Sequence, residues 1–227
     1  MACAQRGMYC GNDYIAAGHL SRRIIDNVME QTERLGTWLG SLGYRGLFGL
    51  DFVIDSSESS AYAVDLNPRW QGSTVLLTLA EYKAGRLPLA VAELACRLNQ
   101  MSEQEVLRHN DEFREPVSAS HVSLRCRTTS WWRVTGSLRP GVYTPSREPA
   151  FVRPGLRLND LDAPTTEMLV AGGVPRPGAL LAPGSHALRF SSERQVIDLS
   201  CLGPLAWSQA AAEGLYGSLA LEPVVVD

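Results

Sequence analysis

The chain has little lysine, no long apolar run and no CxxC motif. Lys83 is the only lysine among the 21 basic residues of the 227-residue sequence, so arginine supplies nearly all of the positive charge. No apolar run reaches the ~18–20 residues that a transmembrane helix requires, and residues 1–14 lack the apolar core of a signal peptide. The sequence therefore predicts neither a membrane partner nor a secretory leader.

Charge and cysteine usage narrow the class of protein further. A formal net charge of -3 and a pI near 5.8 argue against a nucleic-acid or membrane-surface role, since both partners are negatively charged. The cysteines are odd in number and widely spaced: Cys3, Cys10, Cys96, Cys126 and Cys201. This usage predicts reduced thiols in a cytoplasmic protein, with neither a disulfide framework nor a zinc site.

Hydrophobic spacing predicts helices in the first half of the chain. Leucine, isoleucine and valine recur at helical spacing over residues 17–42, and Gly43 occupies a helix-stop position. Three further helices are predicted at 73–83, 89–98 and 102–109. A capped helix after residue 72 is expected, because Ser73 and Thr74 are both suitable N-cap residues.

The composition changes near Asp111. From there short apolar runs alternate with proline- and glycine-rich turns, until a terminal helix is predicted at 205–219. We therefore expect two domains, residues 1–112 and 113–227, in an α+β fold. The first would be an antiparallel sheet with helices on one face, and the second a β-rich subdomain that ends in a helix.

Two strand-like runs in the first domain predict a hairpin. Leu47–Ile54 and Ala61–Leu66 are joined by the polar segment DSSESS, which suits a hairpin loop. Because side chains alternate along a strand, one face of this hairpin is expected to be apolar. The residues assigned to that face are Phe48, Leu50, Phe52, Ile54, Tyr62, Val64 and Leu66.

The opposite face of the hairpin is expected to carry two carboxylates. If Ile54 faces Tyr62, then Asp51 faces Asp65, and like charges in directly opposed positions are unfavourable. The pair therefore needs a cation or a proton between its members. Small neighbours on the same face, expected to be Gly49, Ala61 and Ala63, would leave room for a ligand.

The loop after the second run continues this polar pattern. Asp65, Asn67, Arg69 and Gln71 alternate, so an extended chain projects them to the same side, and Pro68 stiffens the run between them. Two carboxylates and an amide oxygen are hard ligands that suit Mg²⁺. The planar guanidinium of Arg69 suits a phosphate.

These residues resemble the nucleotide–metal site of the ATP-grasp superfamily. Asp51-Phe-Val, followed by Asp65-Leu-Asn67-Pro-Arg69-Trp-Gln71-Gly-Ser, is similar to its pattern of an acid on one strand and (Glu/Asp)-x-Asn-x-Arg on the next. The resemblance covers about residues 1–112, the second half of such a domain. It implies that Asp51, Asp65 and Asn67 hold Mg²⁺ or Mn²⁺. It also implies that Arg69 is catalytic at the γ-phosphate, and that Gln71 helps to bind ATP.

The activity implied is that of a carboxylate–amine ligase. Such an enzyme uses ATP to activate a small carboxylate as an acyl phosphate, which a small amine then attacks. The chain departs from the family because no lysine-containing first half of the cleft precedes Gly43. Three alternatives stay open. A second polypeptide completes the cleft, the chain is an inactive remnant that binds nucleotide or protein, or the appended β-rich region, residues 116–227, is a protein-interaction module. A half-cleft with an exposed apolar edge would also favour self-association as a homo-oligomer.

The purely structural alternative for these residues is an edge hairpin with solvated aspartates, followed by a capped helix.

The second domain offers no motif with an assignable chemistry. Gly172 and Gly173 are predicted to be turn glycines, since no phosphate-loop lysine follows them. Ser185 and His186 lack the G-x-S-x-G turn of a hydrolase nucleophile, and His121 has no metal partner at ligand spacing.

Overall fold

The chain is an α+β protein, as predicted. The computed structural model describes residues 9–55, 57, 59–112 and 114–224. It contains 33% helix and 24% strand, and the strand pairings described are antiparallel. No helix within the described ranges is long and apolar enough to cross a membrane.

Packing divides the chain into two compact units. Residues 17–117 form the first unit, and the described residues 9–16 and 118–224 form the second. The predicted domain boundary lies at residue 112, with the N-terminal segment in the first domain. That segment instead packs in the second unit, because strand β1 (Gly11–Asp13) pairs with β4 (Ser120–Arg125) through contacts distant in sequence.

The first unit combines helices with one hairpin. The one-turn helix α1 (Tyr14–Ala17) leads into it. Its elements are then α2 (Arg22–Ser41), β2 (Gly49–Ile54), β3 (Ala61–Asn67), α3 (Thr74–Lys83), α4 (Leu89–Arg97) and α5 (Glu103–Glu112). All four predicted helices are present. The first begins later than predicted because Ser21 caps it, accepting a 3.4 Å hydrogen bond from the Ile24 amide.

Helix α2 satisfies the free edge of β3 with side-chain amides. The Ala61 amide donates to Asn27 Oδ1 at 3.0 Å, and Gln31 Nε2 donates to the Ala61 carbonyl at 2.7 Å. The Ala63 amide donates to Gln31 Oε1 at 3.3 Å. Gln31 therefore bonds β3 as a neighbouring strand would. This protects an edge that otherwise exposes unpaired backbone groups.

We expect Gln31→Ala to destabilise the first unit by about 1–2 kcal/mol. It removes both hydrogen bonds from Gln31 to the edge of β3, each worth about 1 kcal/mol net. Gln104→Ala, an exposed substitution in α5, is the matched control and should change stability by less than about 0.5 kcal/mol. Urea denaturation measures both. Equal stability of the two variants would contradict the edge-pairing role.

The second unit is rich in short strands, as predicted, and the helix predicted at its end is followed by one more short strand. After β4 its elements are β5 (Trp132–Val134), β6 (Gly141–Tyr143), β7 (Phe151–Arg153), a 3₁₀ turn (Leu158–Asp160), β8 (Met168–Gly172), β9 (Leu180–Leu181), β10 (His186–Ser192), β11 (Ile197–Asp198), β12 (Gly203–Pro204), α6 (Ala206–Leu219) and β13 (Leu221–Pro223). One sheet has the order β1-β4-β10-β8-β6-β7, and another has the order β13-β5-β9.

The core of the second unit forms where the larger sheet meets α6. Alternate residues of its central strands are buried together with one side of the helix. The largest fully buried side chains of this core are Phe190, Leu124, Met168, Leu188, Leu215 and Leu219. Cys126 lies in this core as a free thiol, and Cys96 and Cys201 also form no disulfide, as predicted. Cys3 lies outside the described residues.

A charged pair fastens β7 to the loop that precedes β8. Arg153 donates to both oxygens of the Glu167 carboxylate, at 2.6 and 2.8 Å. The Asp162 and Ala163 amides donate to the same carboxylate at 2.9 and 3.1 Å. The hydrogen bond from Arg153 is the main reason that the pKa of Glu167 falls from 4.5 to about 2.

This pair should make the second unit sensitive to acid. Because the folded-state pKa of Glu167 is depressed, its contribution to stability is fully present above pH 4.5 and is lost as pH falls towards 2. We expect Glu167→Gln to lower the free energy of unfolding at pH 7 by about 1.5–3 kcal/mol. It should also flatten the dependence of stability on pH across this interval.

Urea denaturation at pH values between 2 and 7 tests this expectation. The exposed Glu148 of the same unit supplies the control Glu148→Gln, which should retain the wild-type dependence on pH. A Glu167→Gln variant with unchanged acid sensitivity would show that other groups govern unfolding in acid.

Candidate functional site

The β2–β3 hairpin brings the two predicted carboxylates together. Asp51 pairs with Asp65, as predicted, and Gly49 pairs with Asn67 at the next position on the same face. The remaining register differs from the prediction, because Ile54 pairs with Ala61 rather than with Tyr62. In the turn between the strands, Ser56 and Glu58 lie outside the described residues.

A β-bulge explains the difference in register. Asp51 pairs with Asp65 while the neighbouring Phe52 pairs with Ala63, so Val64 is an extra residue on β3. Alternation therefore changes phase at Val64. Tyr62 is directed to the same side as the carboxylates, whereas Ala63 is directed to the opposite side.

The bulge corrects two predicted faces. Tyr62 and Val64, predicted to lie on the apolar face, are 57% and 59% exposed. Ala61, predicted to lie beside the carboxylates, is only 2% exposed and shares the opposite side with Ala63. The face that carries Asp51 and Asp65 is therefore lined by Gly49, Val53 and Tyr62. On this face, the carboxylates lie next to exposed apolar side chains.

Asp65 and Asn67 bond each other on the face that carries the carboxylates. Asn67 Nδ2 donates to Asp65 Oδ2 at 2.8 Å, so the amide oxygen of Asn67 is left as an acceptor. Within the described residues, no basic side chain forms an ion pair with Asp51 or Asp65. Two opposed carboxylates without a cation repel each other.

The donor set fits a hard divalent cation. Two carboxylates and one amide oxygen suit Mg²⁺, which keeps several water or phosphate ligands beyond those of the protein. The part of the chain that the structure describes contains no cluster of three or more His, Cys, Asp or Glu side chains placed to hold a metal. A cation at Asp51, Asp65 and Asn67 would therefore need phosphate or water oxygens to complete its coordination.

Gln71 lies against the hairpin directly beside this pair. A Cβ at Gly49 would overlap the Gln71 side-chain amide, so any larger residue at that position would displace this amide. The backbone amide of Gln71 donates to Thr74 Oγ1 at 2.9 Å, and the backbone amide of Thr74 donates to the backbone carbonyl of Gln71 at 3.2 Å. This turn starts α3. Ser73 occupies the N-cap position but makes no side-chain hydrogen bond to the helix.

Arg69 is not joined to the carboxylates by any described contact. Its guanidinium is exposed and donates to the carbonyl of Trp70 at 3.1 Å, while its amide donates to the Asn67 carbonyl at 2.8 Å. The structure therefore brings Asp51, Asp65, Asn67 and Gln71 together. Arg69 lies between Asn67 and Gln71 in the chain, and its side chain is exposed and bonds the neighbouring backbone carbonyl of Trp70.

Two buried glutamates, which were not singled out from the sequence, accept hydrogen bonds from backbone amides before the hairpin and at the start of α4. Glu93 of α4 accepts a hydrogen bond from the Leu47 amide just before β2, and Arg97 Nε donates to it at 2.5 Å. Glu81 of α3 accepts a 2.6 Å bond from the Leu89 amide, and burial raises the pKa of Glu81. The available signal was an acid within an apolar helical run, which favours a buried backbone partner over a solvated position.

Comparison with known proteins identified no relative of this chain. No family model, no curated protein and no solved structure matches the chain. The resemblance to ATP-grasp enzymes therefore depends on the residues of the hairpin and of the loop that follows it.

Relieving the repulsion between Asp51 and Asp65 should stabilise the metal-free protein. We expect Asp65→Asn in the presence of a chelator to raise the free energy of unfolding by about 0.2–1 kcal/mol. High salt should shrink the gain because the charges are exposed and screened. Glu30→Gln, which removes an exposed carboxylate of α2, is the control. A loss of stability in Asp65→Asn at every salt concentration would contradict the repulsion.

Proposed function

We propose that the hairpin and its loop bind Mg²⁺ and the phosphates of ATP, and that the chain belongs to a ligase that activates a carboxylate for attack by an amine. The observation that carries the proposal is the register that opposes Asp51 to Asp65 with Asn67 on the same face. The unpaired charges of the two acids, the acceptor oxygen of Asn67 and the ATP-grasp spacing support it.

Each residue of the proposed site would have its own role in binding Mg²⁺ and ATP. Asp51 and Asp65 would hold Mg²⁺, or Mn²⁺ in its place, and Asn67 would add its side-chain oxygen. A bound divalent ion neutralises charge on the β- and γ-phosphates, where phosphoryl transfer develops negative charge. Arg69 would leave the Trp70 carbonyl to contact the γ-phosphate, a small change for an exposed side chain. Gln71 would line the site beside Asn67.

The proposed reaction has two steps. An oxygen of the carboxylate attacks the γ-phosphorus, and the bond between that phosphorus and the bridging oxygen of ADP breaks. The amine nitrogen then attacks the carbonyl carbon of the acyl phosphate, inorganic phosphate leaves, and the amine loses a proton. Both steps require positioning and charge neutralisation rather than a covalent enzyme intermediate.

A second candidate is a nucleotide-binding partner without activity of its own. The exposed apolar side chains of Val53, Tyr62 and Val64 beside the carboxylates favour it. Such a patch suits contact with a further polypeptide, either a different chain that completes the ATP cleft or a second copy of this one. The free thiols Cys96, Cys126 and Cys201 support a cytoplasmic location for either function.

Calorimetric titration of the full chain with Mg–ATP tests the proposed site. We expect a binding heat that disappears in Asp65→Ala. In Arg69→Ala we expect affinity about 10–100-fold weaker, since a charged hydrogen bond is worth about 1.5–3 kcal/mol. Glu30→Gln should bind as the wild type does. Folded protein that gives no heat, or equal binding by Asp65→Ala, would overturn the proposal.

A turnover measurement separates the two candidates. Release of ADP and phosphate that requires both a small carboxylate and an amine supports the ligase. Binding of Mg–ATP without turnover by the isolated chain, and turnover only after a second polypeptide is added, supports the partner.

A further inference from the structure

The larger sheet of the second unit has a polar, basic face. On β4 and β10 the core receives Val122 and Phe190, which pair with each other. Alternation therefore directs His121 and Arg189 to the face opposite the core. His121 is nevertheless only 1% exposed, so a titratable group is buried on this face.

Three buried nitrogen atoms near this face lack hydrogen-bond partners among the described residues. They are His121 Nδ1, His186 Nε2 and Arg189 Nε. An unsatisfied buried polar group costs about 1–3 kcal/mol, and more if the group is charged. Three such atoms in neighbouring side chains require polar partners, which ordered water or a bound polar ligand supplies.

Two adjacent glycines make room for these side chains. Arg189 pairs with Gly172, and a Cβ at Gly172 would lie 3.0 Å from the Cβ of Arg189 and 3.4 Å from its Cδ. Gly173 has a φ of +71°, and a Cβ there would lie 2.7 Å from the His186 ring. The glycines predicted to be simple turn residues therefore form the surface on which Arg189 and His186 lie.

The charged groups that shift the pKa values of the two histidines are basic. No described acid forms an ion pair with Arg189. Burial, and then the charges of Arg189 and His186, lowers the pKa of His121 to about 3. Burial, and then Arg189 and Arg125, also lowers the pKa of His186. Both imidazoles are therefore neutral at pH 7, and the guanidinium of Arg189 carries the positive charge.

Hydrogen bonds at Nε2 of the His121 ring determine whether the other ring nitrogen, Nδ1, is a donor or an acceptor. The Tyr9 hydroxyl donates to Asn12 Oδ1 and lies 2.7 Å from His121 Nε2. With that hydroxyl proton directed to Asn12, the tautomer that lets the ring bond Tyr9 is the one with its proton on Nε2, and we assign this tautomer. His121 Nδ1 then holds a lone pair and needs a donor, whereas Arg189 Nε–H needs an acceptor.

We propose that His121, His186 and Arg189 form a binding site for a phosphate group that carries one proton, as free phosphate or as a phosphate monoester. Such a group supplies both kinds of partner at once. An unprotonated oxygen accepts from Arg189 Nε–H, and the P–O–H donates to His121 Nδ1. A carboxylate ion offers acceptors only, so it matches Arg189 but not the lone pair of His121.

Imidazole NMR signals of the labelled full chain test the site directly. The chain has four histidines, and His19 and His109 belong to the other compact unit and serve as internal controls. Titration with inorganic phosphate should shift the His121 and His186 signals saturably and leave the other two unchanged. Sodium chloride at equal ionic strength should leave all four signals unchanged.

Matched arginine variants decide whether the guanidinium is responsible. Arg189→Gln should weaken phosphate binding by about 10–100-fold, the effect of losing one charged hydrogen bond. Arg133→Gln, an exposed substitution on β5, should leave it unchanged. If Arg189→Gln fails to fold, Arg189→Lys keeps the charge but loses the Nε–H donor, and it should bind at least about tenfold more weakly than the wild type.

Three further results would count for or against the site. Binding of methyl phosphate together with phosphate identifies a monoester site, and binding of phosphate alone identifies a site for the free ion, and both support the proposal. Acetate that binds as tightly as phosphate would overturn it. It would also be overturned if phosphate failed to shift His121 and His186, or if Arg189→Gln or Arg189→Lys bound as tightly as the wild type.

Discussion

The bulge at Val64 determines which side chains of β3 border the candidate ATP site. With this extra residue on β3, Asp51, Asp65 and Asn67 share one face, while Ala61 and Ala63 are directed to the opposite side. Continuous pairing would keep the acids opposed but would turn Ala61 and Ala63 towards them. Bulges often occur near functional sites because they redirect side chains without ending the strand pairing.

Polar side chains hold this hairpin in place by bonding backbone groups. Asn27 and Gln31 pair with the free edge of β3, and the buried Glu93 accepts from the Leu47 amide before β2. Each satisfies a backbone group that neither strand can reach. A hairpin of two strands is marginally stable alone, so these bonds give its polar face a fixed geometry.

The two candidate sites differ in how their unmet polar groups arise. In the hairpin, two exposed carboxylates face each other and repel, and a divalent cation would relieve the repulsion. On the sheet of the second unit, buried nitrogen atoms of His121, His186 and Arg189 lack partners among the described residues, and a protonated phosphate would supply them. The first proposed ligand is a cation and the second is an anion, so each proposal has its own test.

The sequence alone determined the α+β class, the four helices of the first unit and the opposition of Asp51 to Asp65, because hydrophobic period and strand alternation are local properties. It did not reveal the bulge, since a single extra residue leaves no mark in composition. Nor did it reveal that β1 pairs with β4, or that His121 and Arg189 lie on the same face of the larger sheet. Those contacts join residues far apart in the chain, and only the tertiary structure decides which distant backbones pair and which side chains they bury together.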